Sequence, residues 1–179
     1  MKVLIIGASG SGTTTLGKEI EKRTHFVHLD TDNYYWKPTK VPFQEKLPLV
    51  IRNENLKSDI RKFKNVIISG SMISWGKEWE TTFDLVIFIH LQNEKRIERL
   101  KEREIQRYGE KLLTDKNILQ KSKAFLEWAN QYENPNFDGR THKTHLNWLK
   151  KLKCTVLKID GEKKMHTKIE IVLSRINTR

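Results

Sequence analysis

Gly7, Gly10, Ser11, Gly12, Thr13 and Thr14 fall within one short stretch, GASGSGTT, directly after the aliphatic run Val3-Leu4-Ile5-Ile6. Glycines permit a tight turn and close approach of backbone to a ligand. Several N–H groups on such a turn can surround one phosphate, and a helix starting at Thr13 adds the positive end of its dipole. The stretch fits the phosphate loop G-x-x-x-x-G-K-[ST] at every fixed place except one, where Thr13 stands in the lysine position. Thr14 falls where a hydroxyl holds nucleotide-bound Mg²⁺. The missing lysine removes the charge that bridges the β and γ phosphates.

Other residues with chemical potential follow along the chain. Asp30-Thr31-Asp32 closes the second apolar run, and Tyr34-Tyr35-Trp36 comes directly after it. Arg96, Arg99, Arg103 and Arg107 occupy one stripe of about 80° on a helix. Like charges four apart repel by a few tenths of a kcal/mol per pair. An anion against the stripe explains that arrangement, and a solvated face eased by Glu98, Glu102 and Glu104 competes with it. Arg52 lies on the apolar stripe of its own helix. It reads either as an arginine snorkelling at the core edge or as one aimed at an anionic substrate. His90 reads as a packed or hydrogen-bonded histidine rather than a ligand. His142 and His145, at i and i+3, could hold a metal but have no third ligand nearby in sequence.

Strands and helices alternate to position these groups. Strands are expected at Lys2–Ile6, Phe26–Leu29, Asn65–Ser69, Asp84–Leu91 and Thr155–Ile159. Helices are expected near Thr13–Arg23, Glu45–Phe63, Glu94–Arg107, Asp115–Tyr132, Thr141–Leu152 and Lys163–Ile176. The fourth strand, aliphatic at its middle, should be central. The basic end at Arg175 and Arg179 should be solvated. The alternation predicts a doubly wound α/β fold in one domain over residues 1–179, with a polar, lid-like insertion at about 108–140.

Composition narrows the partners. The chain has 179 residues and a net charge of +12, from 34 Lys and Arg against 22 Asp and Glu. That balance favours anions: nucleotides, nucleic acid or acidic membrane. No apolar run approaches a membrane span, and Met1 leads straight into a strand, so neither a membrane segment nor a signal peptide is expected. Cys154 is the single cysteine. It reads as a structural thiol and fits a reducing cytoplasm.

On these residues the chain resembles the adenylate-kinase-like P-loop kinases: small nucleoside, nucleotide and shikimate-type kinases. More narrowly it resembles a bacterial branch carrying GASGSGTTT in place of the lysine motif. The resemblance implies a P-loop NTPase fold with a five-stranded parallel sheet flanked by helices. It implies ATP and Mg²⁺ as cofactors and transfer of the γ-phosphoryl group to a nucleoside, nucleotide or other small hydroxyl acceptor. Carried across, Gly7, Gly10, Ser11, Gly12, Thr13 and Thr14 would wrap the phosphates, with Thr14 on Mg²⁺. Asp30 would support the metal and Asp32 an acceptor hydroxyl. Arg103, Arg107 and Arg140 would act as lid and post-lid arginines. Tyr35, Trp36, Arg52 and Gly70 would line the acceptor side. Lys18 or a lid arginine would replace the lost loop charge.

Two other readings compete. A dinucleotide-binding G-x-x-G-x-x-G motif would need its third glycine at Thr13, and no Tyr-x-x-x-Lys pair is present. A nucleotide-binding regulator or nucleic-acid-associated protein is suggested by the charge and by Tyr34, Tyr35, Trp36 and Trp75, which could stack bases. Nucleic acid is not favoured, because those aromatics read better as pocket walls or core.

Overall fold

A computed structural model describes residues 1–176. Arg179 lies outside the described residues. The elements run β1 (Lys2–Gly7), α1 (Thr13–Glu21), β2 (Val27–Asp30), a single turn α2 (Asp32–Tyr35), α3 (Leu49–Lys62), β3 (Val66–Ser69), β4 (Leu85–His90) and α4 (Asn93–Tyr108). Then come α5 (Lys111–Thr114), α6 (Lys116–Asn130), α7 (His142–Leu149), β5 (Thr155–Asp160) and α8 (Met165–Ile176). The five strands form one parallel sheet in the order β2-β3-β1-β4-β5. β4 is interior, as its aliphatic middle requires, but β1 is the strand at the centre.

Alternation along β1 sends its side chains to two separate cores. Leu4 and Ile6 pack with Leu56, Ile60, Trp75, Trp79 and Trp148 on the α3–α7 face. Val3 and Ile5 pack with Leu16, Ile20, Ile169, Val172 and Ile176 on the α1–α8 face. Every residue from Val3 to Ile6 is fully buried, so the loop that follows starts from a fixed strand end.

α3 begins four residues later than the expected Glu45. Residues 45–47 instead run extended beside Tyr35–Lys37, where Lys37 N–H donates to Glu45 O (2.8 Å) and Leu47 N–H donates to Tyr35 O (2.8 Å). Pro48 accounts for this, because a residue preceding proline is pushed out of the helical region. Leu56 and Ile60 are buried as the stripe requires, whereas Leu49 and Phe63, at the helix ends, are exposed.

The segment after α4 folds as α5, α6 and a 3-10 turn at Gln131–Glu133. Asp115 caps α6 by accepting from the Asn117 and Ile118 N–H groups. Thr141 and Thr144 cap α7 reciprocally.

Candidate active site

β1 ends at Gly7, and the chain turns through Gly10 (φ 84°) and Gly12 (φ 94°) into α1. Both are left-handed positions that favour glycine. At Gly10 a Cβ would also stand 2.7 Å from the Arg96 carbonyl oxygen. Ser11 N–H donates to Ala8 O (3.1 Å), which closes the turn. The first N–H groups of α1 have no acceptor within the helix. The Ser11 hydroxyl is buried without a hydrogen-bond partner. This loop geometry fits a phosphate.

Below the loop, Thr14 Oγ1 donates to Asp30 Oδ2 (2.9 Å), and Asp30 Oδ1 accepts from the Asp32 N–H (3.0 Å). A hydroxyl and carboxylate oxygens at a helix N-terminus are the hard donors Mg²⁺ accepts. Asp30 ends β2 opposite Ser69 of β3. Gly70 then adopts φ 117° and leaves room for Thr31, whose hydroxyl occupies the place of its missing Cβ. Asp32 is open to water but surrounded by protein. Desolvation, and then the neighbouring Asp30, push its carboxyl above the usual range, while Arg140, Arg103 and Arg107 pull it back.

Three expected arginines therefore act together on the Asp32 carboxylate. Arg140 Nη2 donates to Ser9 Oγ (2.9 Å) inside the glycine loop, and its guanidinium lies 4.8 Å from the Trp128 ring. Arg103 faces Phe125, and its Nε has no partner. Arg107 pairs with the buried Glu104 (3.0 Å) and stacks on Phe43 at 4.1 Å.

The arginine stripe of α4 is not uniform. Arg96 is fully buried. It donates to Ser9 O (3.2 Å), Ala129 O (3.4 Å) and Asn93 Oδ1 (2.6 Å), and it lies over the Tyr132 ring. α6 meets Arg96 through the Ala129 carbonyl and Arg103 through the Phe125 ring, whereas Arg99 is exposed. Lys18 is exposed one turn along α1 from Thr14. It lines a cleft of about 360 Å³ with Glu21, Lys22, His28, Asp30 and Asn33.

Arg52, expected on the acceptor side, does not snorkel. It is 7% exposed, held between Tyr35 (4.6 Å) and Trp75 (4.8 Å), and it donates to Ser74 O (3.1 Å). Its Nε has no partner. Trp36 packs edge-on to Tyr35 and to Phe43. Tyr34 and Trp75, weighed above as base-stacking residues, are buried in the core, and the Tyr34 hydroxyl donates to Asp59 (2.7 Å).

Sequence reasoning missed Ser9, Phe43, Trp128 and Tyr132. Only Phe43, with φ 64°, departs from ordinary backbone geometry. Nothing in its local sequence signals that.

The two histidines of α7 share Phe88 and Tyr132 as ring neighbours but have different polar partners. His145 is fully buried, with Nδ1 2.6 Å from the Tyr132 hydroxyl and Nε2 3.2 Å from Ser71 Oγ. His142 instead stacks near His90 and faces Glu133. His90, expected to be packed or hydrogen-bonded, packs beside Phe88 and His142 while staying partly exposed.

Burial pushes the His145 imidazole down to about 3. A depressed folded-state value means that the unfolded chain takes up the proton first as pH falls. Stability from this group is complete above about pH 6.5 and declines below it, by about 2 kcal/mol at pH 5. Urea midpoints measured between pH 7.5 and 4.5 should fall accordingly. The His145 ring signals should show no titration over that range.

The chain matches the family model described as AAA domain over residues 3–124. The Bacillus subtilis (strain 168) protein YqaC is 38% identical over 174 residues, covering 97% of this chain and 96% of that one. A probable gluconokinase from Xenopus tropicalis is 24% identical over 135 residues, covering 61% of this chain and 70% of that one. Among solved structures, a shikimate kinase from Bacteroides thetaiotaomicron aligns with a TM-score of 0.57 at 15% identity, over 99% of this chain and 98% of that one. Deoxyadenosine kinase from M. mycoides with bound dATP aligns with a TM-score of 0.52 at 18% identity, over 99% of this chain and 100% of that one. At those identities the likeness is one of fold, and the five-stranded parallel sheet is shared with these kinases. The glycine loop, its strand and its helix all lie inside the matched region, and the chain belongs to the AAA domain family of P-loop NTPases.

Proposed function

We propose that the protein is a phosphotransferase that moves the γ-phosphoryl group of Mg-ATP to a small acceptor, with a nucleoside, a nucleotide or another hydroxyl compound as the acceptor class. The observation that carries this reading is that Arg103, Arg107 and Arg140 all act on Asp32, with Arg140 also bonded to the glycine loop and Asp30 bonded to Thr14. Phosphoryl transfer asks mainly for positioning and for positive charge around the transferring group. Bound Mg-ATP supplies the phosphoryl group and the metal's charge. The loop N–H groups and the Ser11 hydroxyl hold the phosphates. Thr14 and Asp30 hold the metal side. Asp32 accepts or orients the acceptor hydroxyl, and the arginines oppose its negative field. Tyr35, Trp36 and Arg52 wall the acceptor site, and residues 108–140 act as its lid.

Arg140 takes over the role of the missing lysine in this reading. It already reaches the loop through Ser9, whereas Lys18 lies a turn down the helix. Thr13 is also the observation behind a second reading, in which the protein binds nucleotide without turnover.

Mg-ATP affinity and turnover, measured for the native chain and Thr13→Lys with a panel of nucleosides, nucleotides and small alcohols, separate the two. The expected result is transfer by the native chain, with Thr13→Lys changing kcat by less than about tenfold because the charge is already present. Native protein that binds ATP but stays silent, and that Thr13→Lys awakens, would overturn the kinase reading.

A further inference from the structure

His90, Glu133 and His142 come from three places in the chain: the last residue of β4, the 3-10 turn after α6, and the first residue of α7. One ligand atom from each lies within 4.8 Å of the others. His90 Nε2 is 3.6 Å from one Glu133 oxygen, and His142 Nδ1 is 3.7 Å from the other. These separations are too long for hydrogen bonds. The two imidazole rings lie 4.7 Å apart between centroids. Phe88 stacks flat against His142 at 6.0 Å and gives the group one apolar wall.

We infer that these three residues form a binding site for a zinc-class divalent ion. Tetrahedral ligands at 2.0–2.1 Å stand about 3.3 Å from one another, so the observed group need contract by no more than about 1.5 Å to close on one ion. Two imidazole nitrogens and one carboxylate are the donor set of a zinc site whose fourth position is left to water. Mg²⁺ and Ca²⁺ prefer all-oxygen shells and would go elsewhere.

The ion would act as a staple. Glu133 and His142 bracket residues 134–141, the stretch that returns from the lid-like segment and carries Arg140. His90 belongs to the buried sheet. An ion held by all three fixes both ends of that return to the end of β4. Its binding needs neither ATP nor the reaction proposed above, so the two stand or fall separately.

The test uses the metal-stripped full chain without nucleotide, titrated with Zn²⁺ by calorimetry and with Co²⁺ by visible absorption. One equivalent should bind, with the absorption bands of a four-coordinate cobalt site, and Zn²⁺ should raise the unfolding temperature. His90→Ala, His142→Ala and Glu133→Gln should each weaken binding by more than about tenfold. His25→Ala and His166→Ala, which change exposed histidines outside the group, should leave it unchanged. Glu133→Gln keeps the side chain's shape, so its result stands even if a histidine variant folds poorly. Failure to bind one equivalent, or equal binding by native protein and Glu133→Gln, would overturn the site.

Discussion

Arg140→Met should lower turnover by about a thousandfold, the scale on which a charge-stabilising arginine acts in phosphoryl transfer. The fold should survive. Methionine keeps the apolar stem against Trp128, and the lost partner, Ser9 Oγ, is a hydroxyl at the loop surface that can turn to water. The variant should also move the pH dependence. Arg140 pulls the Asp32 carboxyl down, so its removal raises that group further. If Asp32 must be ionised, the acid limb of the activity profile shifts to higher pH. Arg140→Lys restores the charge without the planar fork and should recover part of the rate. A Met variant within tenfold of native turnover would place the catalytic charge elsewhere, with Arg103 and Arg107 the next to change.

Arg96→Met should produce the opposite pattern: a large loss of stability and a smaller loss of chemistry. The guanidinium is fully buried and serves two backbone carbonyls, Ser9 O and Ala129 O, and the Asn93 side chain. Burial alone depresses its affinity for its proton, and Glu133 and Tyr132 oppose that. Removing a buried donor of this kind leaves several acceptors unsatisfied, a cost of about 2–4 kcal/mol. Urea unfolding reads this directly. The folded fraction should retain turnover within about tenfold but bind ATP more weakly, because Ser9 is no longer held. Full stability with abolished turnover would move Arg96 from the frame into the reacting group.

These two arginines also mark how far the sequence could be read. Their spacing on α4 and after the lid-like segment was visible, and so was the chemistry of an arginine-rich stripe. Which arginine faces an anion and which faces a carbonyl depends on where α6 lies, and that is set by contacts more than thirty positions away. Local signals were read well. The strand, the glycines and the helix start around Gly7–Thr14 are contiguous, and Asp30 and Asp32 sit at a strand end. Pro48 carried the information that delayed α3, since it constrains the residue before it. At His142 and His145, a spacing of three suggested a shared face. The buried side of α7 took His145 into the core, and His142 was left at the helix start facing β4. Arg52 resisted reading because its partners come from elsewhere in the chain, Tyr35 from α2 before its helix and Trp75 from the loop that follows β3.

Ser9 gives the loop a history as well as a shape. Its carbonyl is held by a residue 87 positions later in the chain and its hydroxyl by one 131 positions later. On a ribosome the glycine stretch emerges before both partners, and neither clasp exists until Arg96 and then Arg140 have been made. β1 must also wait for β3 and β4 before it is flanked. The glycine stretch is therefore finished only after partners made well behind it. A nascent chain stalled short of residue 140 would carry the complete phosphate-loop sequence without a completed phosphate loop.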